Sequence, residues 1–341
     1  MDMSLRQTLY SDANIDAAYR WLCYQRRNYH HNDDVWGLRH RWTEEKNHLQ
    51  QLLRTGRYTL GPLNVRRSTY GGDDSLLWDA IDALVLRALT QVLSQRWLPQ
   101  LSKRCYHLAG RGGVKAAIHH VKTALPDFPF VFRTDVKGYY ANIDQAQLQA
   151  MLAERIDDRY ILQLLQQAIA CTLCDGGNYH SMRRGICRGC SLSPLLGALY
   201  LDHLDQAMAR RDVVYVRFMD DWVVLCRTHT QLRRVVASVN RLMTRLTLAQ
   251  HPDKTYIGRV SHGFEFLGWQ FTPMGVSVAA TAVRRCIDRI TQLYEQGATH
   301  HRIGTYLQRW WRWYRLIRDV RTVPFDESHD APFDRRATAR L

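Results

Sequence analysis

Between residues 12 and 55 apolar side chains recur at helical spacing: Ala17, Ala18, Trp21 and Leu22, then Leu38, Trp42, Leu49, Leu52 and Leu53. Gly56 and Gly61-Pro62 break that period. Leu63 to Tyr70 reads as a strand, followed by the turn Gly71-Gly-Asp-Asp74. Helical spacing resumes over residues 77–98 and from Val114 to Leu125. Phe128-Pro-Phe-Val-Phe-Arg-Thr-Asp135 reads as a strand that ends in an aspartate. One helix is expected from about Gln145 to Thr172, then two turn-rich stretches, Asp175–Asn178 and Arg183–Pro194. A helix from Leu195 to Arg211 follows. Residues 230–248 form a basic amphipathic helix, 263–271 a strand, and 281–321 further basic helix.

Two adjacent aspartates interrupt an otherwise apolar run. Val213, Val214, Tyr215 and Val216 precede Asp220-Asp221, and Trp222, Val223, Val224 and Leu225 follow. β-branched and aromatic residues on both sides predict two short strands with the aspartates at the turn of a hairpin. Asp is common in turns, so a polar turn is one reading. The other is a metal site, because a carboxylate pair between buried strands is costly unless a cation neutralises it. Mg²⁺ prefers such oxygens and bridges to phosphates.

The charge shifts the balance. Lys and Arg number 47 against 32 Asp and Glu, a formal charge of +15, which fits a polyanionic partner. Arg20, Arg26, Arg27, Arg39, Arg41, Lys46 and Arg54 interleave with Tyr24, Tyr29 and Trp36, a mixture suited to phosphate contact and base stacking. Hydrophobic residues make up 46% of the 341, enough for a sizeable core. No apolar run reaches membrane-span length and no signal-peptide pattern opens the chain, so a cytoplasmic protein with reduced cysteines is expected. If the strand ending in Asp135 neighbours the hairpin, three carboxylates converge. Two Mg²⁺ ions about 3.5–4 Å apart would then suit nucleotidyl transfer.

Several ordered motifs resemble bacterial reverse transcriptases of the group II intron-like and retron-type class, over roughly residues 15–317. Asp135-Val-Lys-Gly-Tyr-Tyr-Ala-Asn-Ile-Asp144 resembles the first catalytic block. Gly185-Ile-Cys-Arg-Gly-Cys-Ser-Leu-Ser-Pro-Leu-Leu196 resembles the substrate- and template-positioning block. Phe218-Met-Asp-Asp221 matches the Tyr-x-Asp-Asp box. His251-Pro-Asp-Lys-Thr255 is similar to the block with a lysine near the triphosphate, and Phe266-Leu-Gly268 to the primer grip.

The resemblance implies an α+β right-hand polymerase of fingers, palm and thumb, with an antiparallel palm sheet packed on helices and a helical thumb. It implies RNA-directed DNA synthesis from a primer 3′-hydroxyl with two Mg²⁺ ions. Asp135, Asp220 and Asp221 would be catalytic metal ligands, with the Val136 carbonyl completing a shell. Lys254 would protonate or screen the leaving pyrophosphate, and Tyr140 would exclude a ribose 2′-hydroxyl. Phe266, Leu267 and Gly268 would hold the primer. Implied partners are an RNA template, a DNA or RNA primer and dNTPs, with a structured non-coding RNA or accessory protein as a further partner and no membrane. Retroelement and anti-phage roles are both compatible. The alternative is an RNA-binding maturase or scaffold with vestigial polymerase activity, which would have no use for intact aspartates.

Two departures from the family pattern matter. Arg188-Gly189 stands where Gln-Gly is usual, and a guanidinium fork suits phosphate. The fingers strand runs into the acidic Gly71–Ser75 turn, which leaves Arg66 and Arg67 to meet the triphosphate and Arg188 to compensate. Cys171-x2-Cys174 and Cys187-x2-Cys190 have zinc-knuckle spacing. Reduced thiols are nevertheless preferred over zinc, because the second pair lies in a block that must adapt to each base pair. In Trp310-Trp-Arg-Trp-Tyr314 the rings are expected to pack the thumb, while Arg309, Arg312 and Arg315 track nucleic-acid phosphates. The expected domains are residues 1–62 (helical fingers extension), 63–275 (fingers and palm), 276–322 (thumb) and 323–341 (a poorly ordered tail).

Overall fold

A computed structural model describes residues 4–67 and 74–315. Residues 68–70 of the expected strand, most of the turn after it, the last residues of the expected thumb and the tail lie outside the described residues.

Four helices open the chain: α1 (Leu5–Leu9), α2 (Asp12–Gln25), α3 (Asp34–His40) and α4 (Trp42–Thr55). Ser4, Ser11 and Asp33 cap the first three by accepting from the amides of Gln7, Asn14 and Val35. Gly56 closes α4 in the left-handed conformation, with φ at 74°. After β1 (Leu63–Arg66) and β2 (Ser75–Leu77) comes α5 (Ala80–Trp97), buried along most of its length. The apolar faces of α1 to α3 close on α5, which is why its own sequence is apolar nearly all round.

Next come α6 (Gly113–Ala124), β3 (Phe130–Asp135), α7 (Tyr139–Asn142), α8 (Gln145–Ala153) and α9 (Arg159–Ile169). The single helix expected over 145–172 is therefore two helices and a strand. Asp158 stops and restarts the helix by accepting from the amides of Tyr160 and Ile161. Thr172–Asp175 is β4, which turns at Gly176-Gly177 into β5 (Asn178–Ser181). Both glycines have positive φ, as a two-residue hairpin requires. The helix expected over 195–211 is likewise two, α10 (Ser193–Tyr200) and α11 (Asp202–Ala209).

The remaining elements are β6 (Val214–Phe218), β7 (Asp221–Cys226), α12 (His229–Arg245), β8 (Tyr256–Arg259), β9 (Phe264–Phe266), β10 (Trp269–Thr272), β11 (Gly275–Val278), α13 (Ala280–Glu295) and α14 (His300–Arg315). The strand expected over 263–271 is a hairpin, turned at Leu267 and Gly268. The basic helix expected from 281 breaks at Gly297, with φ at 67°.

Three sheets form among the described residues. The central one, β6-β7-β3-β8, is antiparallel throughout. Along β7, Trp222, Val224 and Cys226 enter a large core shared with α10, α11 and α12. Val223 and Leu225 enter a second core with α6 and the β9–β11 meander. Burial on both faces explains the unbroken apolar run around the aspartates. A second sheet, β2-β1-β4-β5, joins β1 and β4 in parallel. The meander β11-β10-β9 is the third, and Trp313 and Tyr314 of α14 pack against its Trp269.

Candidate active site

The strand ending in Asp135 does neighbour the hairpin. Asp135 pairs with Asp221 across β3 and β7, and Phe218 pairs with Asp221 across β6 and β7. Asp220 sits in the two-residue turn between β6 and β7, and its carbonyl accepts from the Val136 amide at 3.2 Å. Three carboxylates thus meet at one end of the central sheet. Val136 bridges Gln250 through the carbonyl of Asp135 and the amide of Lys137. That pattern spares the Val136 carbonyl itself, which accepts no backbone bond among the described residues.

The carboxylates are strained electrically. Burial, then the negative charge of Asp135, raises Asp220 to about 6. Burial raises Asp221 to about 7 against the opposing pull of Arg133. Asp135 pairs with Lys254 at 2.5 Å, and Asp221 with Arg133 at 3.3 Å. The other oxygen of Asp221, Oδ1, is buried with no hydrogen-bond partner among the described residues. As they stand, no three His, Cys, Asp or Glu side chains among the described residues are grouped to hold a metal ion. Asp135 and Asp221 are each turned to a basic side chain. The donors themselves fit Mg²⁺: carboxylate oxygens, an orphaned one among them, and a spare carbonyl.

Tyr140 stands beside the aspartate turn. Its hydroxyl lies 3.5 Å from the Met219 sulfur, and burial pushes its pKa up to about 12. Arg188 is exposed in the turn with Gly189, close enough to Tyr140 for its charge to oppose that shift. The loop reaches Tyr140 because Gly185, with φ at 80°, lets its backbone come close; a Cβ there would lie 2.6 Å from the Tyr140 carbonyl oxygen. The Ile186 amide donates to that same oxygen at 2.8 Å. Arg66 and Arg67 carry carboxylate partners of their own. Arg66 pairs with buried Asp33 at 2.9 Å, and Arg67 with Asp175.

A cavity of about 530 Å³ runs from Asp135, Asp221 and Lys254 to the Leu267-Gly268 turn and on to Arg285 and Trp310. Phe266 is buried beneath the turn, and Trp313 packs so closely on Gly268 that a Cβ there would lie 2.9 Å from its ring. Arg309, Arg312 and Arg315 are exposed on α14. Trp313 and Tyr314 pack as expected, but Trp311 is 51% exposed, because its helical position faces away from the meander. Three of the four cysteines, Cys171, Cys187 and Cys190, lie close enough to act on one another's thiols. Cys171 and Cys187 are buried and burial raises both thiols, whereas Cys174 lies on β4, paired with Tyr179.

Sequence reading missed Arg133, His107 and Arg217. The two arginines carried a signal, a charge inside an apolar strand. His107 carried none.

A family model for reverse transcriptase (RNA-dependent DNA polymerase) matches residues 80–271, more than half of the chain. The chain belongs to the reverse transcriptase family. The central sheet is therefore the palm of a right-hand polymerase. The chain is 25% identical over 227 residues to Protein YkfC of Escherichia coli strain K12, covering 55% of this chain and 60% of that protein. It is 22% identical over 163 residues to Group II intron-encoded protein LtrA of Lactococcus lactis subsp. cremoris, covering 47% of this chain and 27% of LtrA. The match spans less than two thirds of either relative. A chain of a partial Cas6-RT-Cas1–Cas2 complex overlaps 72% of this reverse transcriptase and 42% of itself, at 16% identity and a TM-score of 0.43. No helix among the described residues is long and apolar enough to cross a membrane.

Proposed function

We propose that this chain is a cytoplasmic RNA-directed DNA polymerase that adds deoxynucleotides to a primer 3′-hydroxyl. The observation that carries the reading is the alignment of Asp135 with Asp221, with Asp220 in the adjoining turn. Asp135, Asp220, Asp221 and the Val136 carbonyl would hold two Mg²⁺ ions. Bound there, the ions would supply activation of the 3′-hydroxyl and neutralise the leaving pyrophosphate.

The protein's own groups do the rest. Lys254, freed when Asp135 turns from it, reaches the triphosphate and gives a proton to pyrophosphate or screens its charge. The Tyr140 ring occupies the space a 2′-hydroxyl would need. Arg188 meets a nucleotide phosphate over Gly189. Arg66 and Arg67 join it only by exchanging Asp33 and Asp175 for the triphosphate. The Phe266–Gly268 turn, backed by Trp313, holds the primer end, and Arg309, Arg312 and Arg315 follow the template–primer phosphates. On this reading residues 1–62 extend the fingers, 63–275 form fingers and palm, and 276–322 the thumb.

Mg²⁺-dependent extension of a primer on an RNA template tests the reading, with DNA-templated and template-free reactions beside it. A protein that binds RNA with high affinity yet extends nothing would be the scaffold instead. Sequencing the nucleic acid that copurifies would identify template and primer, and so separate a retroelement from an anti-phage role.

A further inference from the structure

The turn that carries Asp220 is backbone-strained. Met219 has φ at 60°, a left-handed conformation in a residue that is not glycine. Both polar groups of Met219 are held by side chains, the half-buried His107 and the fully buried Arg217. Its amide donates to Nδ1 of His107 at 2.9 Å, and its carbonyl accepts from Nη1 of Arg217 at 2.9 Å. The same two side chains also grip one helix. His107 donates from Nε2 to the carbonyl of Pro194 at 3.2 Å, and Arg217 donates to the carbonyl of Ala198 at 3.3 Å. Both carbonyls belong to α10, which the Arg188-Gly189 loop enters.

Each holder is itself fixed. Arg217 is fully buried and makes a two-pronged pair with Asp205, which also accepts from the Tyr215 hydroxyl at 2.8 Å. The segment before His107 runs beside β6, where Tyr106 donates to the Arg217 carbonyl at 2.8 Å and Arg217 donates to that of Arg104 at 3.0 Å. Nδ1 must be unprotonated to accept from the Met219 amide, so the neutral Nε2–H tautomer is required. Burial and the Arg217 charge favour that neutral ring by lowering its pKa to about 4.

We propose that His107 is a positioning residue which, with Arg217, locks the Met219 peptide, aims the Asp220 carboxylate, and couples that turn to α10 and the nucleotide-positioning loop. This rests on the polymerase reading only for its consequence in catalysis; the clamp itself is a property of the folded chain. A ring that merely fills space would be replaced by phenylalanine. A ring that accepts a hydrogen bond would be replaced by asparagine, whose Oδ1 falls where Nδ1 lies.

His107→Phe, His107→Asn and His107→Ala would be compared with wild type in two measurements. The first is amide hydrogen exchange of residues 218–221 in the metal-free protein. Exchange should speed up about tenfold in the Phe and Ala variants and stay near wild type in Asn. The second is primer extension over a Mg²⁺ series. In Phe and Ala, kcat should fall roughly tenfold to a hundredfold and the half-saturating Mg²⁺ should rise, with template–primer affinity unchanged. Asn should recover most of both. Wild-type exchange in the Phe variant would overturn the proposal, and so would an Asn variant no better than Ala. If the wild-type chain extends no primer, the polymerase reading falls, and the exchange result still decides the clamp.

Discussion

Two of the hairpins with two-residue turns among the described residues, β4–β5 and β6–β7, solve the same local problem differently. In β4–β5, Gly176 and Gly177 supply positive φ with no Cβ to clash, and β5 is exposed along its length. In β6–β7 the left-handed position is taken by Met219, and both strands are largely buried. The first turn is satisfied by its own residues. The second costs about 1–2 kcal/mol in backbone strain, offset by His107 and Arg217 from elsewhere in the chain. Where the chain obeys local turn chemistry, structure is local. At Met219, which departs from it, distant side chains over-determine the geometry, and the departure lies next to the proposed metal ligand Asp220.

The largest expected effect sets the two turns against each other. Asp220→Ala should lower Mg²⁺-dependent extension at least about a thousandfold and leave RNA affinity within about twofold. Asn178→Ala, at the edge of the exposed hairpin's turn, should leave the rate within about twofold. Equal losses in extension assays would break the comparison.

Arg188→Gln should raise the dNTP concentration needed for half-maximal extension roughly tenfold to a hundredfold, through loss of a charge-assisted contact. Arg188→Lys should restore part of it. If template affinity falls instead, with dNTP dependence unchanged, Arg188 faces the template backbone. Tyr140→Ala should raise ribonucleotide use relative to deoxynucleotide about tenfold, with little change in dNTP use. Competition between the two nucleotides in single-step extension checks this.

The smallest effect is on stability. The folded-state pKa of Asp221 lies above its unfolded value, so its contribution to stability is present at low pH and is lost as pH rises through about 7. Without Mg²⁺, Asp221→Asn should therefore melt higher than wild type at pH 8, by about 2–4 °C for each kcal/mol relieved. The difference should shrink toward pH 5. Melting curves across that range with no divalent ion decide it, and a gain independent of pH would show that Asp221 is not the group carrying the buried charge.

The sequence by itself determined the strands around the aspartates, because burial on both faces demands an unbroken apolar run. It also determined the order of the motifs, and with it the family and the palm. Local pattern failed where capping or a turn competed with it. Asp158 divides what reads as one helix, and Leu267-Gly268 folds what reads as one strand. Only the tertiary structure decided which groups meet. Nothing near residue 107 says that its imidazole will reach Met219, 112 positions away. Nothing near Asp135 says that Lys254 will pair with it rather than point at solvent. Helical period and strand alternation are set by neighbours a few residues apart. The pairing of Asp135 with Asp221, and the grip on the turn beside them, depend on long-range hydrogen bonds that exist only once the sheet has closed.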